Sequence, residues 1–191
     1  MTHNNLNSVS IRLMSGGHAF SKQDIESIKA AGNGANIEVV TLKTVLRPAE
    51  GFKPEEARHD LEAVGIAVAA NECVVYSPEC NGRVAVMAIR SECTEAIAKL
   101  GIEVNYSSPL AVGDDMAEGA YIALYDDVLY LRVYRQGLCF AEAVGAKSDA
   151  DIVYILESLN RVYNIYNMHA RAIGDVKRLT NVCKKYTKLK F

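Results

Sequence analysis

The sequence predicts a mixed fold, α+β or α/β, in which short strands and capped amphipathic helices share one chain. The clearest observation is in residues 121–144, where three strand-like stretches are joined by tight turns. A stretch with apolar residues at helical spacing follows at residues 152–163. Shorter patterns of both kinds, separated by Gly and Pro, fill residues 8–106. Period-2 and period-3.6 patterns in one chain indicate sheets with helices packed on them.

In the first half of the chain, predicted strands and helices alternate. Strands are expected where β-branched or alternating apolar residues occur, at residues 8–14, 37–45, 66–76, 83–89 and 102–106. Ser21 and Asp24 form a capping-box pattern for a first helix, and Pro54 suits the first residue of a second. Ser91 is expected to cap a third helix, which Gly101 ends.

The second half gives a clearer pattern. Strands are expected at residues 121–125, 128–134 and 138–144, joined by turns at residues 126–127 and 135–137. Ser148 and Asp151 form a capping pair for a long helix. Asp175 is expected to cap a final helix. The predicted order is therefore a three-stranded antiparallel meander followed by helices.

A boundary between two lobes is predicted in residues 107–119. This stretch contains Pro109, Gly113 and an acidic pair between two patterned regions. We therefore expect one lobe at residues 1–115 and a second at residues 116–191. Each half begins with strands joined by a tight turn and later reaches a capped helix, which suggests a structural duplication.

Charge is unevenly distributed along the chain. The net charge is −2, yet residues 171–191 hold seven basic residues and one acidic residue, a net charge of +6. Such a segment can bind an anionic partner or the protein's own acidic face, and basic residues also complement the dipole of a C-terminal helix. The candidate nucleic-acid-binding residues are Lys184, Lys185, Lys188 and Lys190. An aromatic face for stacking on bases, or for covering a neighbouring element, is predicted from Tyr121, Tyr125, Tyr130 and Tyr134.

The sequence predicts a cytoplasmic protein without a membrane span. Residues 1–10 are polar and lack the apolar core of a signal peptide, and no run of 18 apolar residues occurs. The five cysteines are odd in number and irregularly spaced, which indicates reduced, buried thiols rather than a disulfide framework or a zinc site. No metal-binding or cofactor-binding motif is present, so no cofactor is expected.

Two stretches resemble an uncharacterised protein family from Bacteroidetes that has a degenerate actin-like ATPase fold. The first is TVLRPAEGFKPEEA at residues 44–57, and the second is LCFAEAVGAKSDADIVY at residues 138–154. The resemblance implies two RNase H-like lobes, each with a mixed sheet whose first three strands are antiparallel and with helices packed on it. It implies a fold and no activity, because the family has no assigned function.

Nucleotide chemistry in an active actin-like ATPase needs a hairpin turn with an acid for Mg²⁺ and a Gly that lets the backbone approach a phosphate. The expected first hairpin offers Ser15, Gly16 and Gly17, but no carboxylate and no adjacent cation. The second offers Asp126 and its neighbour Asp127, but no Gly. Neither turn holds both parts, and the GxxxxGK and GxGxxG motifs are absent. Catalysis is therefore not expected.

Three functions follow from these observations. The favoured one is a non-catalytic interaction protein on a degenerate actin-like ATPase fold, with another protein as its partner. The second is a residual nucleotide-binding protein or small-molecule kinase that uses Ser15, Gly16, Gly17 and Asp126. The third is nucleic-acid binding through the basic C-terminal segment.

Overall fold

The computed structural model describes residues 9–13, 20–31, 34–113 and 115–191 of the 191-residue chain. The chain forms two compact units, Met1–Val112 and Gly113–Phe191, which divide inside the Pro- and Gly-containing stretch at residues 107–119. None of the described helices combines the length and the apolar character that a membrane crossing requires.

The first unit alternates strands with short helices. Its described elements are β1 (Val9–Leu13), α1 (Lys22–Ala31), β2 (Ala35–Val39), β3 (Thr44–Pro48), α2 (Ala57–Ala63), β4 (Glu72–Tyr76), β5 (Arg83–Arg90), α3 (Ser91–Ala98) and β6 (Val104–Ser107). A single 3-10 turn at Pro54–Glu56 leads into α2, with Pro54 at its start as predicted. The capping box before α1 is confirmed, because the Asp24 amide donates to Ser21 Oγ at 3.1 Å and Asp24 Oδ2 accepts from the Ser21 amide at 2.9 Å.

Two three-stranded sheets form in this unit. Strands β1, β2 and β6 are parallel, in the order β1-β2-β6, whereas β3, β5 and β4 form an antiparallel sheet with β5 in the centre. The expectation that the first three strands of each lobe are antiparallel is therefore wrong for this unit. Helix α1 lies between β1 and β2 and returns the chain to the end at which β1 began, so the two strands run in the same direction.

The β-branched stretch at residues 37–45 is two strands and not the single strand predicted. β2 ends at Val39, and β3 begins at Thr44 in the other sheet. Between them the Val40 amide donates to the Leu13 carbonyl at 2.8 Å, and the Lys43 amide donates to Thr41 Oγ1 at 3.1 Å. The threonine side chain supports a bend by bonding the backbone two residues on, which composition alone does not reveal.

Two further expectations for the first unit need correction. The strand predicted at residues 66–76 occupies only Glu72–Tyr76, because Ile66 and Val68 pack from a loop against the cluster formed by α2 and β5. Ser91 does not cap α3: it is the first helical residue, and Arg90 holds the extended cap position without a side-chain hydrogen bond. Strand β5 continues directly into α3, so no loop residue is left to act as a cap.

The second unit contains the predicted meander and two helices. Its elements are β7 (Glu118–Tyr125), β8 (Val128–Arg135), β9 (Leu138–Gly145), α4 (Asp149–Tyr163), a 3-10 turn (Ile165–Asn167), β10 (Ala170–Gly174) and α5 (Val176–Tyr186). The capping box of Ser148 and Asp151 is confirmed on α4, and Asp175 caps α5 by accepting from the Arg178 amide. In this unit the first three strands are antiparallel, as expected.

Strand β10 is absent from the sequence prediction. It pairs in parallel with β7, so the sheet has the order β10-β7-β8-β9. Helix α4 carries the chain from β9 at one edge of the sheet to β10 at the other. The fourth strand therefore makes the meander a mixed sheet.

Both faces of β7 and β8 are buried. On one face, Ile122, Leu124, Leu129 and Leu131 join the core that α4 and α5 cover. The opposite face carries aromatic side chains around Arg132, which is only 1% exposed. The Arg132 guanidinium carbon lies 3.9 Å from the centre of a tyrosine ring, in cation–π geometry. The alternation seen in the sequence thus separates an aliphatic layer from an aromatic and cationic layer.

Candidate functional site

The first candidate phosphate turn, with Ser15, Gly16 and Gly17, lies outside the described residues. The elements on either side are β1 and α1, and β1 pairs in parallel with β2. The expectation of a β-hairpin between the first two strands is therefore wrong, since hairpin strands are antiparallel.

The second candidate turn joins β7 to β8 at Asp126 and Asp127. Both carboxylates are exposed, and Asp126 holds a positive φ of 50°. Tyr125 and Val128 form the last pair of the ladder, with the Val128 side chain 1% exposed. The Asp127 carbonyl accepts from the Ala146 amide at 2.7 Å. The turn is thus anchored to the residue after β9, and its backbone is flanked by side chains and not by glycine.

A close backbone contact fixes the neighbouring end of the sheet. Gly174 ends β10 with φ +75°, and a Cβ atom there would lie 2.1 Å from the Leu124 carbonyl oxygen. The same oxygen accepts from the Asp175 amide at 2.8 Å. Glycine allows β10 to approach β7 at the point where α5 begins.

No metal site accompanies these acidic residues in the part of the chain that the structure describes. There, no group of three or more His, Cys, Asp or Glu side chains is placed to hold a metal ion.

The candidate nucleic-acid-binding residues separate into an exposed set and a buried set. The exposed set is Lys184, Lys185, Lys188 and Lys190, which all lie on or just after α5. The buried set is Tyr121, Tyr125, Tyr130 and Tyr134, whose exposed fractions are 9% or less. The lysines are accessible to an anion, whereas the aromatic face offers no surface for stacking on bases.

A polar groove of about 720 Å³ lies in the second unit, where the ends of α4 and α5 meet. Nine residues line it, and every one has a polar side chain. Glu157 and Asn160 come from α4, Tyr166 comes from the 3-10 turn that follows, and Lys185 and Lys188 come from the end of α5 and just beyond it. We call this site the α4–α5 groove.

Hydrogen bonds within the α4–α5 groove orient its floor. Tyr166 Oη donates to Glu157 Oε1 at 2.9 Å, and the Tyr166 amide donates to Asn160 Oδ1 at 3.0 Å. Asn167 Nδ2 donates to Asn164 Oδ1 at 2.8 Å. The side-chain oxygens Oδ1 of Asn160 and Asn164 thus accept hydrogen bonds, while the Nδ2 groups of both residues have no hydrogen-bond partner among the described residues. Each amide keeps two N–H donors for a ligand.

Charge in the α4–α5 groove is mixed. Lys185 and Lys188 supply two ammonium groups, and Glu157 supplies one carboxylate. Burial and the hydrogen bond to Glu157 raise the pKa of Tyr166, so its hydroxyl stays protonated and keeps donating at neutral pH. Helices α4 and α5 both end here, and the C-terminal end of a helix carries partial negative charge. The groove therefore presents donors and acceptors side by side.

This groove is not among the sites predicted from the sequence, although a local signal is present. Asn160, Asn164 and Asn167 follow one another at helical spacing at the end of a strongly periodic segment. Such spacing predicts three amides on one side of a helix, but α4 ends at Tyr163 and Asn164 adopts the left-handed conformation at φ 54°, which Asn tolerates. The end of α5, however, reaches them only through tertiary packing.

All five cysteines are free, and the burial predicted for them holds only for Cys93 and Cys183, since Cys139 is exposed. Burial raises the pKa of Cys93 and of Cys183, which keeps both protonated. Cys73 Sγ lies 3.3 Å from Thr94 Oγ1, within the first unit. A buried, protonated thiol is a packing group and not a nucleophile.

Comparison with solved structures identifies the fold. A protein from Bacteroides thetaiotaomicron, described as having an actin-like ATPase fold and unknown function, matches with a TM-score of 0.62 at 17% sequence identity. The match covers 81% of this chain and 66% of the other, so this chain spans just under two thirds of that protein. The actin-like ATPase fold expected from the sequence is thus confirmed. The likeness supplies a fold and no activity.

A second match covers more of the chain at a lower score. It is the cytoplasmic domain of EpsL, an inner-membrane component of the type II secretion system of Vibrio cholerae, with a TM-score of 0.46 and 12% identity. It covers 95% of this chain and 97% of the other. Similarity at that score supports no functional argument. No family model and no curated protein sequence matches the chain.

Proposed function

We propose that this protein is a non-catalytic interaction protein, built on an actin-like ATPase fold that has lost its nucleotide chemistry. The observation that carries the proposal is the β7–β8 turn. Asp126 takes the positive-φ position where an active relative needs glycine, and Val128 follows at once with a buried side chain. A phosphate approaching this backbone would meet Cβ atoms and two carboxylates. Without a bound cation, carboxylates repel a phosphate.

Nucleotide addition tests this proposal directly. A ligand at 100 times its Kd stabilises a protein by about 2.7 kcal/mol, which a thermal-unfolding assay detects readily. We expect no rise in Tm with ATP, ADP or GTP in the presence of Mg²⁺. A saturable rise that Asp126→Asn abolishes, and that Asp149→Asn on α4 leaves intact, would instead support the nucleotide-binding or kinase alternative. Asp149 is also an exposed aspartate of the second unit, and because it pairs with Arg178 at 2.8 Å, the comparison uses the nucleotide-induced change in Tm of each variant.

The partner we propose is another protein, and an exposed apolar pair on α4 supports that choice. Tyr154 is 73% exposed and Val162 is 70% exposed, although the opposite side of the helix is buried. At 3.6 residues per turn, side chains eight positions apart project about 80° apart, so both lie on the exposed half of α4. Tyrosine is enriched at protein–protein interfaces, which supports a protein partner for this surface.

Affinity capture from extracts of the native cell provides the test of this surface. We expect a partner that the wild-type chain retains and that the double variant Tyr154→Ser/Val162→Ser loses. The matched control is Tyr186→Ser, which removes another exposed aromatic ring, 52% exposed, from a different helix. Equal retention by the wild type and both variants would exclude the α4 surface.

The proposal also includes the architecture of the two lobes and the location of the protein in the cell. We assign residues 1–115 and 116–191 as RNase H-like lobes. The antiparallel β7-β8-β9 meander, followed by α4 and a parallel fourth strand, supports this assignment for the second lobe. A bacterial, cytoplasmic protein is supported by the free thiols, which suit a reducing compartment, and by the bacterial source of the Bacteroides structure.

Nucleic-acid binding is the second candidate, and one observation favours it. The four lysines at residues 184–190 are exposed within a segment of net charge +6. If they bind phosphates, the affinity for RNA or DNA falls steeply as salt rises, with a slope set by the number of contacts. Changing all four lysines to Ala should then remove that salt dependence. Unchanged binding by the quadruple variant would eliminate this function.

A further inference from the structure

We propose that the α4–α5 groove binds a phosphorylated sugar, with lysines at the phosphate and the asparagine and glutamate side chains at the hydroxyl groups. This site is independent of the protein-binding surface on α4. The volume of about 720 Å³ lies within the range of small-molecule sites in proteins. The chemistry of the lining, rather than the volume, selects the ligand.

The hydrogen-bond donors in the groove indicate a ligand rich in oxygen acceptors. Asn160 and Asn164 each present an Nδ2 group whose hydrogen atoms have no partner among the described residues, because their oxygens already accept hydrogen bonds. Lys185 and Lys188, at the end of α5 and just beyond it, add charged donors. Sugar hydroxyls and phosphate oxygens satisfy such donors.

The acceptor inventory argues against a bare anion. Glu157 lies in the same groove, and its Oε1 is oriented by Tyr166 Oη. The C-terminal ends of α4 and α5 also contribute partial negative charge. A free phosphate would gain from the lysines and lose against these groups. A sugar phosphate presents O–H donors to the acceptors while its phosphate contacts the lysines.

The groove also discriminates against single-stranded nucleic acid. Binding of unpaired bases relies on exposed aromatic rings as stacking platforms. The only tyrosine ring that lines the groove at high exposure is that of Tyr186, and Lys185 Nζ lies over it at 4.8 Å from its centre. One face of that ring is thus already in contact with a cation. A small polar ligand fits the site better than a run of stacked bases.

Calorimetric titration of the full chain tests the proposal. The probes are glucose 6-phosphate and ribose 5-phosphate, compared with glucose, ribose, inorganic phosphate and a short poly(U) oligonucleotide. We expect saturable binding of at least one sugar phosphate with a Kd below about 1 mM, and at least tenfold weaker binding of the neutral sugars and of phosphate. Loss of a charge-assisted hydrogen bond costs tenfold or more in affinity, by order of magnitude.

Three variants localise the binding. Lys188→Gln removes a groove ammonium group and should weaken sugar-phosphate binding about tenfold. Asn160→Asp keeps the oxygen that accepts from the Tyr166 amide but replaces the free donor with a negative charge, so it should weaken binding at least as much. Lys177→Gln is the matched control, because Lys177 is exposed on α5 but does not line the groove; its effect should stay within about twofold.

Four results would overturn the proposal. The first is that neither sugar phosphate binds below about 1 mM. The second is that inorganic phosphate binds as tightly as the sugar phosphates, which would indicate an unspecific anion contact. The third is that Lys177→Gln weakens binding as much as Lys188→Gln. The fourth is that poly(U) binds while the sugar phosphates do not, which would assign the lysines to nucleic acid. The thermal-shift result with nucleotides does not bear on any of these outcomes.

Discussion

Replacement of Gly174 by alanine should destabilise the protein through a steric conflict that the structure locates. The new Cβ would lie 2.1 Å from the Leu124 carbonyl oxygen, far inside contact distance. To relieve it, β10 must move away from β7, which breaks the 2.8 Å hydrogen bond from the Asp175 amide to that oxygen. The start of α5 depends on the same contact.

The magnitude follows from two contributions. A left-handed backbone conformation costs alanine about 1 kcal/mol relative to glycine. Breaking the hydrogen bond leaves the Leu124 carbonyl unsatisfied, which costs about 1–3 kcal/mol. We therefore expect Gly174→Ala to lower the free energy of unfolding by about 2–4 kcal/mol. For a chain of this size, each kcal/mol corresponds to about 2–4 °C in Tm.

Gly65 provides a matched control for this substitution. Its φ of +81° is close to the +75° of Gly174, but a Cβ atom there would meet nothing within 4 Å. Gly65→Ala should therefore cost only the backbone term, about 1 kcal/mol. Urea unfolding followed by circular dichroism and by the fluorescence of the ten tyrosines measures both variants. Equal destabilisation by the two substitutions would refute the steric argument.

Further predictions concern caps, packing and pH. Ser148→Ala should lower the free energy of unfolding by about 1 kcal/mol through loss of the α4 cap, measured by urea unfolding. Hydrogen bonds from Ser148 lower the pKa of Asp151. The carboxylate therefore stabilises the protein at neutral pH, and this contribution is lost as the pH falls through the lowered pKa. In urea titrations, the difference in the free energy of unfolding between the wild type and Asp151→Asn should therefore shrink below about pH 4. Leu156→Ala, at a fully buried position, should cost about 2–5 kcal/mol, whereas Val162→Ala, at a position 70% exposed, should cost under about 0.5 kcal/mol. Burial raises the pKa of Tyr106 to about 12. The protonated hydroxyl therefore leaves the stability unchanged below the ordinary pKa of about 10, and the free energy of unfolding falls as the pH rises from there toward 12. Tyr106→Phe should raise the pH at which the protein unfolds in alkaline solution.

Local signals explain which parts of the fold the sequence predicts. The capping box of Ser148 and Asp151 involves residues three apart, so its hydrogen bonds form wherever the helix forms. The alternation in β7 and β8 is likewise seen in the structure, because successive side chains of a strand point to opposite faces of the sheet whatever covers them. Such features depend on a few neighbouring residues, and they were identified correctly.

Features that depend on distant residues were missed. β10 is five residues long, ends in Gly174 and carries the exposed Arg171, so nothing in its own composition distinguishes it from a loop. Its strand character comes from pairing with β7, about 50 residues earlier in the chain. Similarly, Thr41 bends a stretch whose β-branched composition favours a single strand. Tertiary pairing decided both outcomes.

The candidate functional residues also include features that the sequence predicts and features that depend on tertiary packing. The exposure of Lys184 and Lys185 follows from their spacing on the amphipathic helix α5, whereas Lys188 and Lys190 are exposed beyond its end. The groove that Lys185 and Lys188 partly line could not be predicted in this way, because Lys185 and Asn160 are brought together only when α5 packs against α4. Alternation also does not predict the burial of Tyr130. It shows which residues share a face of the sheet, but not whether another element covers that face.

The parallel pairing of β10 with β7 has a consequence for synthesis of the chain. During translation, the β7-β8-β9 meander emerges with one edge of β7 unpaired and with its aliphatic face uncovered by α5. The partner strand ends at Gly174, and Leu189, which is 3% exposed, is among the last residues to join the same core. The second unit therefore cannot complete its core until residue 189 has left the ribosome. A nascent chain that stalls before that point carries an open sheet edge available for association with other chains.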